Sequence, residues 1–462
     1  MRHVGKRRAA LKSEGRNLSV ATTQTFGGGV HPREIGNGKS ATQSQQIVNA
    51  AAPARVTIAM AQHGGAPAVC CVKVGQIVNM GQIIGEAQGF ISAPVHASVS
   101  GKVVAITTCT VASGKSVPAV VIENDFEDRW DESVQPCANV DALSAADIAS
   151  IAARCGIVGM GGAAFPTNVK LDTSRLEEKP DTLIVNGSEC EPYLTSDHRI
   201  MVVNAEQSVD GIVLAMKASG VSCAKVGIED NKPDAVAAMR EAASGKQNIE
   251  VVSLPARYPQ GFEKTLIYSL TGRIVPNGKL PSAAKCVVLN VGTCAALSAA
   301  VRKGQPLIDR VVTVTGRVAK PTNFRVRIGT PLLDLIDQVG GLTDGVRKLI
   351  VGGAMMGNAV STLNLPITKN FGGFLALGEE AVSAEESACI RCGRCMRACP
   401  MKLAPAKIDS LVRHGNYDGA IAAGAMNCME CGSCTYACPA KRELTQSCRV
   451  AKAIARTKAK KS

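Results

Sequence analysis

Apolar and polar positions change period several times along this chain. Between residues 46 and 130, apolar residues come in short runs set off by glycine: Val72-Lys73-Val74-Gly75, Ile77-Val78, Gly81-Gln82-Ile83-Ile84-Gly85, Ser92-Ala93-Pro94-Val95 and Val99-Ser100-Gly101-Lys102-Val103. Short strands punctuated by glycine predict a small barrel. From 140 to 305 the period alternates between helix and strand. Helices are predicted over Ala145–Ala153, Ala205–Ser219 and Asp234–Ala243, and strands over Thr182–Val185 and Glu250–Leu254. That alternation predicts a layered α/β domain. Residues 306–370 read as a small α+β unit: a strand over Val311–Thr315, a helix over Leu332–Val339 and a strand over Leu349–Val351. Residues 378–450 read as helices broken by cysteines. Residues 1–45 show no such period and read as poorly ordered, except for the phrase Thr25–Pro32, and 451–462 read as a basic tail.

Charge sharpens the picture of the ends. The formal charge is +14. Residues 1–20 hold Arg2, Lys6, Arg7, Arg8, Lys12 and Arg16 against Glu14, and residues 441–462 hold eight basic residues against Glu443. The body between them is near neutral. Basic tails suit anionic lipid or an acidic partner, or are simply solvated. Nucleic acid is not expected, because no aromatic residues interleave the basic clusters. No transmembrane span is expected either. The longest uncharged run, Leu349–Thr368, is interrupted by glycine, asparagine and proline. Nothing apolar follows the basic start, so no secretory signal is read. Eighteen cysteines without export point to a reducing compartment and to metal ligation.

Eight of those cysteines carry the clearest chemistry. Cys389, Cys392, Cys395 and Cys399-Pro400 follow C-x2-C-x2-C-x3-C-P, and Cys428, Cys431, Cys434 and Cys438-Pro439 repeat it. In two-cluster ferredoxins the fourth cysteine of each run serves the other cluster. The expected ligand sets are therefore Cys389, Cys392, Cys395 and Cys438 for one 4Fe–4S cluster, and Cys428, Cys431, Cys434 and Cys399 for the other. The rival, a pair of zinc sites, prefers two CxxC pairs with a longer loop. The other ten cysteines show no ligand spacing and read as buried, reduced thiols.

A second candidate is the glycine-rich stretch Gly156–Thr167, followed by Lys170. Closely spaced glycines let backbone N–H groups approach a phosphate. No Gly-Lys-Ser/Thr closes it, so it is not a P-loop, and a tight structural turn is the competing reading. The strand ending at Val185 runs into Asn186-Gly187-Ser188-Glu189-Cys190-Glu191-Pro192. Loops at the C-terminal ends of parallel strands are where α/β folds bind ligands.

At these residues the chain resembles the C subunits of Rnf complexes, which are membrane-associated, ion-translocating ferredoxin:NAD oxidoreductases. The resemblance runs from Thr25 to about Arg449. It is carried by Gly28–Pro32, Gly156–Leu171, Val185–Arg199, Leu270–Pro281, Leu289–Thr293 and the paired cysteine runs. The amino-terminal barrel is phrased like biotinyl and lipoyl carrier domains, but no lysine lies between Lys73 and Lys102 to carry a group. The middle of the chain is similar to the flavin subunit of respiratory complex I. The resemblance implies a barrel-sandwich domain, a Rossmann-like FMN-binding α/β domain, a β-grasp domain of the soluble-ligand-binding (SLBB) type and a helical two-cluster ferredoxin domain.

The resemblance also implies roles. Gly159, Gly161, Gly162 and Lys170 would hold the phosphate side of a non-covalent FMN. Asn186, Glu189, Asn290 and Thr293 would lie at its ribityl and ring atoms, and Tyr258, Gly261 and Glu263 would form a second flavin loop. Phe165 and Glu191 would face NAD(H). Met160 and Phe262 depart from the complex I pattern, which has an arginine and an acid there. The protein would be a peripheral electron-input subunit at the cytoplasmic face of the bacterial inner membrane. Its partners would be the other membrane subunits, with ferredoxin reached indirectly. The alternatives are a cobalamin reductase of a bacterial microcompartment, which the barrel and basic tails argue against, and a flavin-less iron–sulfur relay.

Overall fold

The computed structural model describes residues 25–382 and 385–461. The basic cluster over residues 1–20 lies outside the described residues. Four folded units follow one another, each with its own apolar core. In the first, the strands Arg55–Ala59, Ser116–Asn124, Gly101–Thr110 and Ile77–Val78 form one sheet, and Val69–Cys70, Ile83–Glu86 and Val95–His96 form another. Val56, Ile58, Ile84, Val95, Val103 and Ile122 fill the space between them. Two of its strands are far longer than the short runs expected. Beyond Val103 the Gly101–Thr110 strand leaves the core and is held by its ladder to Ser116–Asn124, so its outer half has no inward apolar face to announce it.

The α/β unit carries a four-stranded parallel sheet in the order Ile249–Leu254, Cys223–Glu229, Thr182–Asn186, Cys286–Asn290. Both faces are covered by helices, which is why these strands read as continuous apolar runs. The helix Ala205–Ser219 packs on Val291–Lys303, close enough that Gly211 meets the Cys294 backbone where a side chain would sit. Two helices, Glu263–Thr271 and Val291–Lys303, carry no clear period in the sequence. The second is buried around most of its girth, so no polar stripe marks it.

The next unit is a six-stranded mixed sheet in the order Val48–Asn49, Thr322–Arg327, Asp309–Gly316, Gly373–Leu377, Lys348–Val351, Asn358–Val360. It packs on the helix Leu332–Gln338. Its fully buried Gly373–Leu377 strand lies beyond the expected limit at 370, and its edge strand comes from far upstream. The last unit holds short helices and ends in a long one, Leu444–Lys461. The basic end from 451 is thus helical as far as Lys461.

Residues 33–45, expected to be poorly ordered, and the phrase Thr25–Pro32 before them join units together, with Lys39 donating to the Glu189 carbonyl and Asn323 donating to the Thr42 carbonyl. Val30 bridges Tyr258 of the α/β unit, and the Gly29 N–H donates to the Ala398 carbonyl of the helical unit. Gly28 and Gly29 both have positive φ, and a Cβ at either would strike backbone, at Cys399 or at Tyr258. The Gly28–Pro32 phrase is glycine-rich because it threads between two domains. A second pin is Lys369, fully buried, whose ammonium donates to the Pro94 carbonyl of the barrel at 3.0 Å and to the Gly156 carbonyl of the α/β unit at 2.8 Å.

Candidate functional site

The two cysteine runs fold as copies of one backbone. Arg391, Gly393 and Lys402 have positive φ, and so do their counterparts Glu430, Gly432 and Lys441. Each run bends through a left-handed glycine into a short helix, Arg394–Ala398 or Ser433–Tyr436, and these two helices pack on each other. That pairing carries the last cysteine of each run across to the other. Cys399 lines a cavity together with Cys428, Cys431 and Cys434. On the far side Cys395 packs with Cys438, and Cys389 and Cys438 both lie within electrostatic reach of it. Cys392 is exposed beside them.

The donor set around the cavity fits a cubane. Among the described residues no three His, Cys, Asp or Glu side chains meet at one point; these four thiols surround a space. Each already has a hydrogen-bonding neighbour. The Leu403 N–H donates to Cys399 Sγ at 3.4 Å and the Glu430 N–H to Cys428 Sγ at 3.3 Å. The Ser433 hydroxyl lies 3.4 Å from Cys431 Sγ and the Thr445 hydroxyl 3.5 Å from Cys434 Sγ. Such neighbours orient ligands and tune a cluster.

The α/β sheet has its topological switch point between Thr182–Asn186 and Cys286–Asn290, because the chain winds outward in one direction and then returns to the other side of the first strand. Ligands of such sheets bind outside the carboxyl ends at that point. There, Asn186 and Asn290 stand opposite each other in register. Asn290 Oδ1 caps the helix Val291–Lys303 through the N–H groups of Gly292 and Thr293, and its Nδ2 donates to Asp197 at 2.7 Å. Thr293 Oγ1 accepts from the Met160 N–H at 3.0 Å and holds the glycine loop against that helix.

The glycine loop itself closes as a tight turn, with Val158 bridging Pro166 and the Gly159 N–H donating to the Phe165 carbonyl. The loop is thus a tight turn, the competing reading of its glycines. Gly161 and Gly162 lie exposed at its tip. A Cβ at Gly161 would press on Asn290 Nδ2 at 2.9 Å, whereas one at Gly162 would meet nothing within 4 Å. The cradle beside Gly161 and the polar ends of the two strands fit a phosphorylated ligand approaching from outside. Lys170 donates to the Val288 carbonyl at 3.0 Å and sits 3.5 Å from Glu263, so its charge faces this site already paired.

Other expected residues are turned inward. Asn186 Nδ2 donates to the Gly261 carbonyl at 2.7 Å. Glu189, at φ 45°, accepts from the Asp197 and His198 N–H groups and so caps the helix Ser196–Val203. Burial, reinforced by Glu189, pushes the Asp197 carboxyl up to about 7. Glu191 and Phe165 turn to different domains. The Glu191 carboxylate accepts from the Met355 and Met356 N–H groups of the mixed-sheet unit at 2.9 and 3.0 Å, and burial pushes it up to about 7. Phe165 is half-buried beside Gly64 of the barrel. Tyr258 is also turned, and its hydroxyl donates to the Cys431 carbonyl at 2.7 Å.

Sequence reasoning missed Asp197, the Tyr258 link to the cysteine cavity, and Cys448. The ten cysteines outside the runs are not uniformly buried: Cys155, Cys286, Cys294 and Cys448 are, Cys71 is exposed and the others lie between. Cys448 lines the cavity of Cys399, Cys428, Cys431 and Cys434. Its distance along the chain from the repeats gave no signal.

Four families match this chain in order. They are the RnfC Barrel sandwich hybrid domain over residues 24–127, the Nuo51 FMN-binding domain over 152–299, the SLBB domain over 311–359 and a 4Fe-4S dicluster domain over 381–439. Among curated proteins, the chain is 46% identical to the C subunit of the proton-translocating ferredoxin:NAD(+) oxidoreductase complex of Clostridium ljungdahlii, covering 86% of each chain. It is 45% identical to the C subunit of the Na(+)-translocating ferredoxin:NAD(+) oxidoreductase complex of Acetobacterium woodii, over 93% of this chain and 96% of that one. The C subunit of the ion-translocating oxidoreductase complex of Rhodobacter capsulatus is 42% identical, over 92% of this chain and 82% of its own length.

Proposed function

The chain belongs to the family of C subunits of ion-translocating ferredoxin:NAD(+) oxidoreductase (Rnf) complexes, and on that premise we propose that it passes electrons between NAD(H), FMN and two 4Fe–4S clusters as the peripheral electron-input subunit of such a complex. FMN and the two clusters are its cofactors. Cys399, Cys428, Cys431 and Cys434 ligate one cluster, and Cys389, Cys392, Cys395 and Cys438 the other.

FMN, when bound, exchanges a hydride with a nicotinamide and single electrons with a cluster. The chain's own residues supply position. Gly159, Gly161 and Gly162 admit the phosphate side, with Lys170 adding charge there. Asn186, Asn290 and Thr293 set the polar floor, with Glu189 behind them holding the helix Ser196–Val203. The loop of Tyr258, Gly261 and Glu263 forms the wall toward the clusters. Phe165 flanks the entrance for NAD(H), while Glu191 behind it fastens the loop to the Met355 and Met356 backbone of the mixed-sheet unit. Among the described residues no helix is long and apolar enough to cross a membrane. In this reading the protein sits on membrane subunits at the cytoplasmic face and reaches ferredoxin through them.

The observation that carries this reading is Tyr258. One residue of the flavin-side loop donates its hydroxyl to the backbone of a cluster cysteine, so the two redox domains are docked at the point where electrons must cross. Gly162→Val tests it, because the added side chain meets only open space in the protein. The variant should lose acid-releasable FMN and NADH-dependent bleaching of the cluster absorption, while dithionite still reduces both clusters. Full FMN and normal bleaching would show that the loop is only a turn.

A further inference from the structure

Five cysteines, not four, face the cavity of the second cluster. Cys448 stands on the helix Leu444–Lys461, 1% exposed, in the cavity wall with Cys399, Cys428, Cys431 and Cys434. It packs with Cys428 in the core of the helical unit and shares the cavity wall with it. It shares its apolar core with Ile408, Ala420, Ala425 and Ala451, none of which offers a side-chain donor or acceptor. Its counterpart in the first repeat is Asp409, whose carboxylate is consumed by Arg413, Arg442 and Ser447. The chain thus carries a sulfur at one cluster where the duplicated position carries a structural carboxylate.

We propose that Cys448 serves the second cluster as a hydrogen-bond donor to Cys428 and as its reserve ligand. This rests on the proposed assignment of Cys399, Cys428, Cys431 and Cys434 as that cluster's ligands. While Cys428 holds its iron, the Cys448 S–H points its proton at the Cys428 thiolate, which withdraws charge from the cluster. When the Cys428–iron bond is absent, the Cys448 thiol gives its proton to solvent and its thiolate forms an iron–sulfur bond in place of the lost one. The exchange moves one proton and no electrons.

The test is iron and acid-labile sulfide per chain in anaerobically purified full-length protein, with electron paramagnetic resonance of the dithionite-reduced state. Cys434→Ala, which has no reserve, should lose one cluster and about half the iron; if it retains both, the ligand assignment itself is wrong. Cys428→Ala should keep both clusters, with an altered signal for one. Cys428→Ala combined with Cys448→Ala should fall to the level of Cys434→Ala. The signal of the Cys389 cluster and the FMN content report that each variant is folded. Cys448→Ala alone should keep both clusters and shift one midpoint potential to a more negative value. If Cys428→Ala loses its cluster as fully as Cys434→Ala, the reserve role is overturned. An unmoved potential in Cys448→Ala overturns the donor role.

Discussion

The two cysteine runs share one backbone, yet the cluster sites they build have different surroundings. Around the site of Cys399, Cys428, Cys431 and Cys434, two of these cysteines are buried and the helix Leu444–Lys461 adds Thr445 and Cys448 to the wall. That helix is anchored by Arg449 and Lys452 to Glu430. At the matching position of the first run stands Arg391, exposed, beside exposed Cys389 and Cys392. Ile390 and Met396 there are 67% and 53% exposed. One site is roofed by the chain and joined to the flavin domain through Tyr258; the other is open. The same motif, duplicated, thus builds an inner and an outer station. What separates them is the charge at one position and the length of one helix.

The largest test of this comparison is the crossing of ligands. Cys399→Ser sits in the outer run but should remove the inner cluster, lowering iron from about eight to about four per chain. Loss of the outer cluster's resonance signal instead would break the pairing.

Asp409 pins the two repeats together. It is 1% exposed at its side chain and accepts from Arg413 of its own helix and from Arg442 and Ser447 of the other repeat. Burial raises its carboxyl, but Ser447, Arg413 and Arg442 outweigh that and hold it below the usual range. A depressed carboxyl stabilises the fold above its unfolded pKa, and that contribution is lost as pH falls below about 4. Asp409→Asn should cost about 3 kcal/mol at neutral pH. Urea unfolding followed by cluster absorbance would show this, and the cost should shrink in acid. A cost independent of pH would mean the pin works by shape alone.

Exposure should also separate the sites kinetically. An iron chelator should remove iron in two phases, the faster one erasing the signal of the Cys389 cluster. A single phase would show that the roof does not shield. The smallest effect is expected for Thr445→Val, which removes the hydroxyl beside Cys434. It should keep both clusters, weaken the inner one by about 1 kcal/mol and lower its potential slightly. A change in the outer cluster's potential alone would contradict the placement of that helix.

Much of this was legible in the chain itself. The cysteine spacing announced two cubane sites because a short loop must present three thiolates to one face. The strand runs at Thr182–Val185 and Glu250–Leu254, alternating with helical periods, announced a layered α/β domain because each strand is paired with helices that cover the sheet. The helix Ala205–Ser219 was readable to the residue, since Asn204 and Gly220 flank it and Gly220 adopts a left-handed conformation. The site was less readable. Glu189 and Glu191 looked like ligand-facing acids after a strand, but one caps a helix and the other binds the backbone of a different domain. Nothing local distinguishes those uses from catalysis.

By itself, then, the sequence determined the order of four domains, the eight-cysteine pattern and the glycine loop, because each depends on residues close together in the chain. The tertiary structure alone decided that Cys448 joins Cys399, Cys428, Cys431 and Cys434, that Tyr258 reaches from the flavin loop to Cys431, and that residues 25–45 lock domains together. Those outcomes are set by contacts between residues far apart in sequence, where packing of the folded units, not local preference, chooses the partner.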